Sequence, residues 1–237
     1  MKSLQGKKAL VLGGSRGIGA AIVKRLAQEG AEVIFTYQKS PEPAKKLAAE
    51  TGTKAVQADS GDRKAVRAVI EAEGALDILV VNAGIGTFGN PLETKPEDVD
   101  RMIDINVRGP YHAAVDAARA MKDNGRIVII GSVNGDCMPF PGGAAYALTK
   151  SAVQGMVRGL ARDFGARGIT VNNVQPGPVD TDMNPANGPM KEMMHSLMAI
   201  KRHARPEEVA GMVAYLVGPE AAMVTGAQHT IDGGFGA

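Results

Sequence analysis

Tyr146 and Lys150 stand one helical turn apart in the run Ala145-Tyr146-Ala147-Leu148-Thr149-Lys150. Residues at i and i+4 share one helix face, so an ammonium can lie beside a phenol. A free phenol has a pKa of about 10, and a fixed positive charge nearby favours its ionised form. The pair therefore reads as an acid–base group activated for proton transfer. The same spacing also suits a half-buried tyrosine packed beside a solvated lysine, so the surrounding chain must choose between the two.

A second signature lies near the N-terminus. The first apolar run is followed by Gly13-Gly14-Ser15-Arg16-Gly17-Ile18-Gly19, which leads directly into Ala20-Ala21-Ile22-Val23. Glycines let a backbone turn tightly and approach a pyrophosphate, and the helix that follows offers free N–H groups at its positive end. The spacing is G-x-x-x-G-x-G, not the G-x-G-x-x-G of the usual dinucleotide loop. The second strand ends in Thr36-Tyr37-Gln38-Lys39-Ser40, with no carboxylate to bond a ribose 2′-hydroxyl. Arg16 and Lys39 can instead meet a 2′-phosphate through charge-assisted bonds, although each also suits a solvated surface charge. The expected cofactor is NADP(H) in preference to NAD(H).

These groups need a scaffold. Short β-branched runs at 9–12, 32–37, 54–58, 76–81, 126–130, 170–174 and 228–231 read as strands buried on both faces. Helical patterns such as 20–28, 44–50, 64–73, 96–122 and 144–164 separate them. This alternation predicts an α/β fold, a Rossmann-type doubly wound sheet of about seven mostly parallel strands with helices on both faces. No repeat or linker divides the chain, so residues 1–237 read as a single dinucleotide-binding domain. A Pro/Gly-punctuated, Met-rich segment at about 182–205 interrupts the rhythm and reads as a substrate lid. Several polar residues then fall where parallel strands end, at the ligand crevice of such folds: Asn82-Ala83-Gly84 after the fourth strand, Ser132 after the fifth, and Pro176-Gly177-Pro178-Val179-Asp180-Thr181 after the sixth. Asn106 lies in the helix between Asn82 and Ser132. Singly, each can be a turn former, a cap or a buried hydrogen-bonding group.

Composition narrows the class. The 237 residues are 44% hydrophobic and 22% charged, with a formal net charge of +2, which suits a globular protein and gives no field for nucleic acid or an anionic membrane. The first residues lack a signal-peptide pattern, no long apolar run follows, and Cys137 is the sole cysteine, so a cytoplasmic protein is expected. The four histidines have no metal-ligand spacing, and no metal is expected. His195 and His203 have no visible partner and read as surface or lid residues. The lid methionines read as adaptable packing.

Taken together, the glycine loop, Asp59 after the third strand, Asn82-Ala83-Gly84, Asn106, Ser132, Tyr146 with Lys150, the Pro-Gly turn with Thr181 and the terminal Ile231-Asp232-Gly233-Gly234 resemble the short-chain dehydrogenase/reductase family from end to end. The resemblance implies an oxidoreductase in which Tyr146 donates a proton to a carbonyl oxygen as nicotinamide delivers hydride to the carbon. It implies that Lys150 holds the nicotinamide ribose and lowers the Tyr146 pKa, that Ser132 orients the carbonyl, and that Asn106 holds a water leading to Lys150. Cofactor contacts would come from Gly13, Ser15, Arg16, Gly17, Ile18, Gly19, Tyr37, Lys39, Asp59, Asn82, Ala83, Gly84, Tyr146, Lys150, Pro176, Gly177, Val179 and Thr181. Two departures stand out. Gly13 replaces the threonine usual in the family, removing a side-chain bond that steadies the loop, and the interval from Ser132 to Tyr146 is slightly long.

The implied substrate is a small carbonyl compound or alcohol. One alternative within the resemblance is a 3-oxoacyl-acyl-carrier-protein reductase. Another, carried by the runs 130–136, 174–178, 184–190 and 195–203, is a member that binds cyclic-di-GMP and promotes biofilm dispersal. Lys191, Lys201, Arg202, His203 and Arg205 in the lid could face such an anion, or form a solvated basic face. Arg101-Met102-Ile103-Asp104 has the Arg-x-x-Asp spacing of some cyclic-di-GMP sites, a spacing that also arises by chance. The resemblance further implies a homo-tetramer or homo-dimer, formed through the helices carrying Asn106 and Tyr146 and through the last strand.

Overall fold

The structure, a computed structural model, describes residues 3–237. Met1 and Lys2, part of the N-terminal stretch read for a signal peptide, lie outside the described residues. The strands are β1 (Lys8–Leu12), β2 (Glu32–Tyr37), β3 (Lys54–Gln57), β4 (Ile78–Val81), β5 (Arg126–Ile130), β6 (Thr170–Pro176) and β7 (Gln228–Ile231). They form one sheet in the order β3-β2-β1-β4-β5-β6-β7, and every pairing is parallel. The chain winds outward from β1 through β3, then crosses back to lay β4 against the other side of β1. The crevice at that reversal, beyond the strands' C-terminal ends, is where ligands bind in doubly wound sheets.

The connecting helices are α1 (Gly17–Gln28), α2 (Pro41–Thr51), α3 (Arg63–Glu73), α4 (Pro96–Ile103), α5 (Gly109–Ala120), α6 (Ala144–Phe164), α7 (Lys191–Leu197) and α8 (Pro206–Val217). One face of the sheet packs on Ile22 and Leu26 of α1, Leu47 of α2 and Val209 and Val213 of α8. The other packs on Val69 and Ile70 of α3, the alanines of α5 and Val153, Val157 and Leu160 of α6. Because both faces are covered, the central strands are continuous apolar runs rather than alternating ones: all four residues of β4 are buried. Among the described residues no helix is long and apolar enough to cross a membrane.

The helix expected over 96–122 is interrupted. A π-helical segment, Asp104–Arg108, separates α4 from α5. Pro110 has no N–H to return to the Asn106 carbonyl four residues earlier, and a side chain on Gly109 would strike the Ser60 carbonyl at 2.7 Å. The Gly109 N–H bonds the Asp104 carbonyl instead, one residue further back than an α-helix allows. The break sets Asn106 beneath the crevice with its main-chain carbonyl free of the usual intrahelical donor.

Candidate active site

The glycine loop is shaped by what lies against it. Gly13 has φ +78, and a Cβ there would lie 2.8 Å from Ala83; one on Gly14 would lie 2.5 Å from Phe35. A Cβ on Gly19 would collide with the Gly13 carbonyl and the Asn82 amide, so Gly19 is a packing residue outside the cleft. The Gly13 backbone is held by two neighbouring side chains. Thr36 Oγ1 accepts the Gly13 N–H at 3.0 Å and the Asn82 amide donates to the Gly13 carbonyl at 2.7 Å. A threonine's own side-chain bond remains absent at Gly13, while these two side chains tether the loop's backbone.

Above this loop opens a cleft of about 720 Å³, within the range of ligand pockets. One end is lined by Gly13, Ser15, Arg16, Gly17 and Ile18, by Tyr37 and Lys39 beyond β2, by Asp59 beyond β3 and by Asn82 and Ala83 beyond β4. The other end carries Ser132, Tyr146 and Lys150, with Pro176, Gly177 and Val179 also in the lining. Gly84 lies against Lys150, and Thr181 reaches back to Gly17, where an added Cβ would lie 3.1 Å from it. Of the catalytic and cofactor-contact residues expected from sequence, Gly19 and Asn106 do not line it. No cluster of metal-ligating side chains occurs among the described residues.

Lys150 is 6% exposed and donates to the Ile130 carbonyl at 3.1 Å. Its Nζ lies 5.7 Å from the centroid of the Tyr146 ring. Burial brings its pKa down from 10.5 to about 8. Tyr146 behaves otherwise than expected. Burial raises its pKa, the Ser132 hydroxyl pulling weakly the other way. The ammonium does not lower it, because removing the phenolate from water costs more than a desolvated amine turned towards Ile130 returns.

Asn106 is a brace. Its Oδ1 accepts the Ile85 N–H at 3.0 Å, and its Nδ2 donates to the Ile85 carbonyl at 2.8 Å and to Thr149 Oγ1 at 3.1 Å. The side chain thus ties the loop after β4 to α6, next to Lys150. Both hydrogens of its amide are engaged, and its main-chain carbonyl, facing Pro110, is open to a water.

Ser132 is buried, and its Oγ accepts the Asn134 N–H at 3.1 Å. Gln175 Nε2 donates to the Ser132 carbonyl at 3.2 Å and to Asp136 at 2.9 Å. Sequence reading passed over Gln175, Thr149 and Thr36. Gln175 is one of three buried amide side chains in β6, beside Asn172 and Asn173, so its type alone did not mark it, and nothing local marks the two threonines. Phe88 and Phe140 also line the cleft and were missed, since each sits in a loop without periodicity.

At the other end Asp59 is held by Arg101 at 2.6 Å. Burial works to raise its pKa, but the Gly61 N–H and Arg101 together hold it below the usual carboxylate value. Arg101 of the Arg-x-x-Asp run is thereby engaged, and Asp104 pairs with Arg108. Lys39 makes no ion pair among the described residues, while Arg16 meets Asp182 at 3.2 Å in an exposed pair of small worth.

The lid segment forms α7 and folds back through a bridge between Val179 and Ala204. None of its cations lines the cleft. Lys191 pairs with Glu192, Arg202 and Arg205 with Glu208, and Lys201 caps the Ser196 carbonyl. These cations lie on an outer face, outside the cleft. His195 and His203, expected without partners, are bonded to each other at 2.8 Å, with His203 buried.

A doubly wound parallel sheet, a glycine loop at its first turn and a tyrosine–lysine–serine group at the far end of one cleft define a nicotinamide-dependent oxidoreductase. Residues 13–236 match the family described as enoyl-(acyl carrier protein) reductase. Over 237 residues, 100% of both chains, the sequence is 67% identical to the cyclic-di-GMP-binding biofilm dispersal mediator protein of Escherichia coli (strain K12). It is 39% identical to oxidoreductase UcpA of Salmonella typhimurium, over 99% of this chain and 96% of that one. The crystal structure of BdcA in complex with NADPH superposes with a TM-score of 0.98 at 67% identity, covering 99% of this chain and 96% of that one. A short-chain dehydrogenase from Burkholderia cenocepacia in complex with NADP gives 0.97 at 47% identity, covering 99% and 100%. The chain belongs to the short-chain dehydrogenase/reductase family.

Proposed function

We propose that the protein is an NADP(H)-dependent oxidoreductase that reduces a carbonyl to an alcohol, or runs the reverse. The carrying observation is the convergence of the Tyr146 phenol, the Ser132 hydroxyl and the buried Lys150 amine in one wall of a cleft whose opposite end is the glycine loop. The cleft fits the cofactor: its glycines clear room for a pyrophosphate at the start of α1, and no carboxylate stands at the end of β2. Gly13, Ser15, Gly17 and Ile18 would hold the phosphates, Arg16 and Lys39 the 2′-phosphate, Asp59 and Asn82 the adenosine side, and Thr181 the carboxamide. When bound, NADPH supplies the hydride that reaches the carbonyl carbon.

The chain's own groups do the rest. Ser132 donates a hydrogen bond to the carbonyl oxygen and orients it. Tyr146 gives that oxygen its proton; the raised pKa keeps the phenol neutral and loaded before the reaction. Lys150, brought to about 8, can exchange a proton near neutrality and would bond the ribose hydroxyls. A water on the free Asn106 carbonyl would connect it to solvent.

Turnover with NADPH and NADH tests the reading. Tyr146→Phe should lower kcat by at least ~10³-fold while calorimetric NADPH affinity stays unchanged, and Lys39→Asp should shift preference towards NADH. Full activity in Tyr146→Phe, or tighter binding of NADH by the unaltered protein, would refute the respective assignment.

A second reading, cyclic-di-GMP binding, is favoured by the 67% identity to a protein named for it. Because the lid cations lie outside the cleft, its place would be the nucleotide end of the cleft, and NADPH should then displace it in calorimetry. A homo-oligomer is the proposed assembly.

A further inference from the structure

We propose that the substrate is an uncharged carbonyl compound bearing a planar apolar ring, seated among Phe88, Phe140 and Tyr146. This rests on the reductase reading above and names the substrate class of that site. The Phe88 ring lies 5.1 Å from the Tyr146 ring and 6.4 Å from Phe140, tilted 45° to each. Phe88 is 52% exposed, so the fold holds an aromatic side chain at the mouth of the cleft rather than in a core.

Backbone geometry built around glycines places these rings. The Gly89 N–H donates to the Gly142 carbonyl at 3.0 Å and clasps the Phe88 loop to the loop carrying Phe140. Gly142 has φ +89, and a Cβ there would lie 3.2 Å from Gly89. A Cβ on Gly86 would lie 2.9 Å from Phe88 and 3.4 Å from Tyr146, so that glycine makes room for the two rings to meet.

Charge is distributed to match. Of the charged side chains lining the cleft, Arg16, Lys39, Asp59 and Asp182 lie at the nucleotide end, and Lys150 is buried with its Nζ 5.7 Å from the Tyr146 ring, where it would hold the ribose. The lining beyond the phenol includes Phe88, Phe140, Phe235 and the lid residues Met183, Met190 and Met194, with Ser132, Asn134 and Asn184 as uncharged polar groups. A carboxylate entering there would lose its water without gaining a cation. A flat ring laid against the exposed side of Phe88, beside Phe140, gains aromatic contacts, each worth a few-fold to about ten-fold in affinity.

The test compares kcat/KM of the NADPH-loaded protein for acetophenone, butanone, acetoacetate and acetoacetyl-CoA. Acetophenone should lead butanone by about ten-fold and exceed both anionic compounds by more. Phe88→Ala should collapse the acetophenone-to-butanone ratio about ten-fold, and Phe88→Trp, which keeps a ring, should preserve it. Calorimetry of acetophenone on the NADP⁺-loaded protein, a pair that cannot react, should show the same loss in Phe88→Ala. Preference for acetoacetate or the thioester, or equal losses for every ketone in Phe88→Ala, overturns this inference and leaves the reductase reading standing. Failure of every carbonyl to oxidise NADPH overturns both.

Discussion

Lys150 is a primary amine with 6% of its surface exposed and a single protein acceptor, the Ile130 carbonyl. Its pKa falls from 10.5 to about 8, which at ~1.4 kcal/mol per unit amounts to about 3 kcal/mol of folding stability forgone at neutral pH. The sign follows from proton binding. Below about pH 8 both folded and unfolded chains carry the proton and the full penalty applies. Between about 8 and 10.5 the folded amine is already neutral while the unfolded one is not, so stability rises with pH. Lys150→Met should therefore raise the melting temperature of the cofactor-free protein at pH 7. The gain should be about 1–2 kcal/mol once the lost hydrogen bond to Ile130 is subtracted, shrinking towards pH 10.5, while turnover is lost. A melting temperature unchanged or lowered at pH 7 would show that burial does not penalise the amine. The residue types of this group were legible from the run 145–150, because the helix period fixes which side chains share a face. The direction of the Tyr146 shift was not. It depends on how much water the fold removes, and water removal is set by Ile130, Phe88 and the loops, none of them near in sequence.

Elements explain why the site holds its shape. The alternation of strands and helices was readable, and the sheet runs as expected. The break at Asp104–Arg108 was not read, although Gly109-Pro110 stood in the sequence. Pro in a first turn and Pro in a helix interior look alike until the neighbouring Ser60 loop is known. The lid is governed by another pairing that spacing concealed: His195 on α7 and His203 before α8 are eight residues apart, about 12 Å along a continuous helix, yet because α7 ends at Leu197 their ring nitrogens meet at 2.8 Å. Burial first, then the neighbouring His195 and Lys191, lower the His203 pKa from 6.5, with Asp180 opposing. A histidine depressed in the folded state contributes its full stability above 6.5 and loses it as pH falls through that value towards the folded pKa. Lid residues 190–204 should thus exchange their amide hydrogens several-fold faster at pH 5.5 than at pH 7.5, after correction for intrinsic rates. His203→Leu, which cannot titrate, should abolish that difference. A pH-independent lid in the unaltered protein would remove the imidazole pair from its control.

At the scale of the whole molecule, covering both faces of the sheet leaves α5 and α6 with an outer surface that nothing in one chain fills. Leu148 is 58% and Tyr111 47% exposed. Along the same helix, Cβ atoms added to Gly155 and Gly159 would meet nothing within 4 Å, so a second helix can approach closely there. Because α6 also carries Tyr146 and Lys150, packing on this face would stiffen the backbone that spaces them. The chain, 24.6 kDa, is expected to sediment at two or four times that mass, with a melting temperature that rises with protein concentration. Leu148→Glu places a charge at the centre of the face. On a free surface such a change costs within about 0.5 kcal/mol. In a packed interface it buries an unpaired carboxylate, so the variant should sediment at a lower mass and melt at a temperature independent of concentration. An unchanged mass in Leu148→Glu would place the assembly on another surface, such as the one around Tyr215 and Met223, which are 48% and 94% exposed.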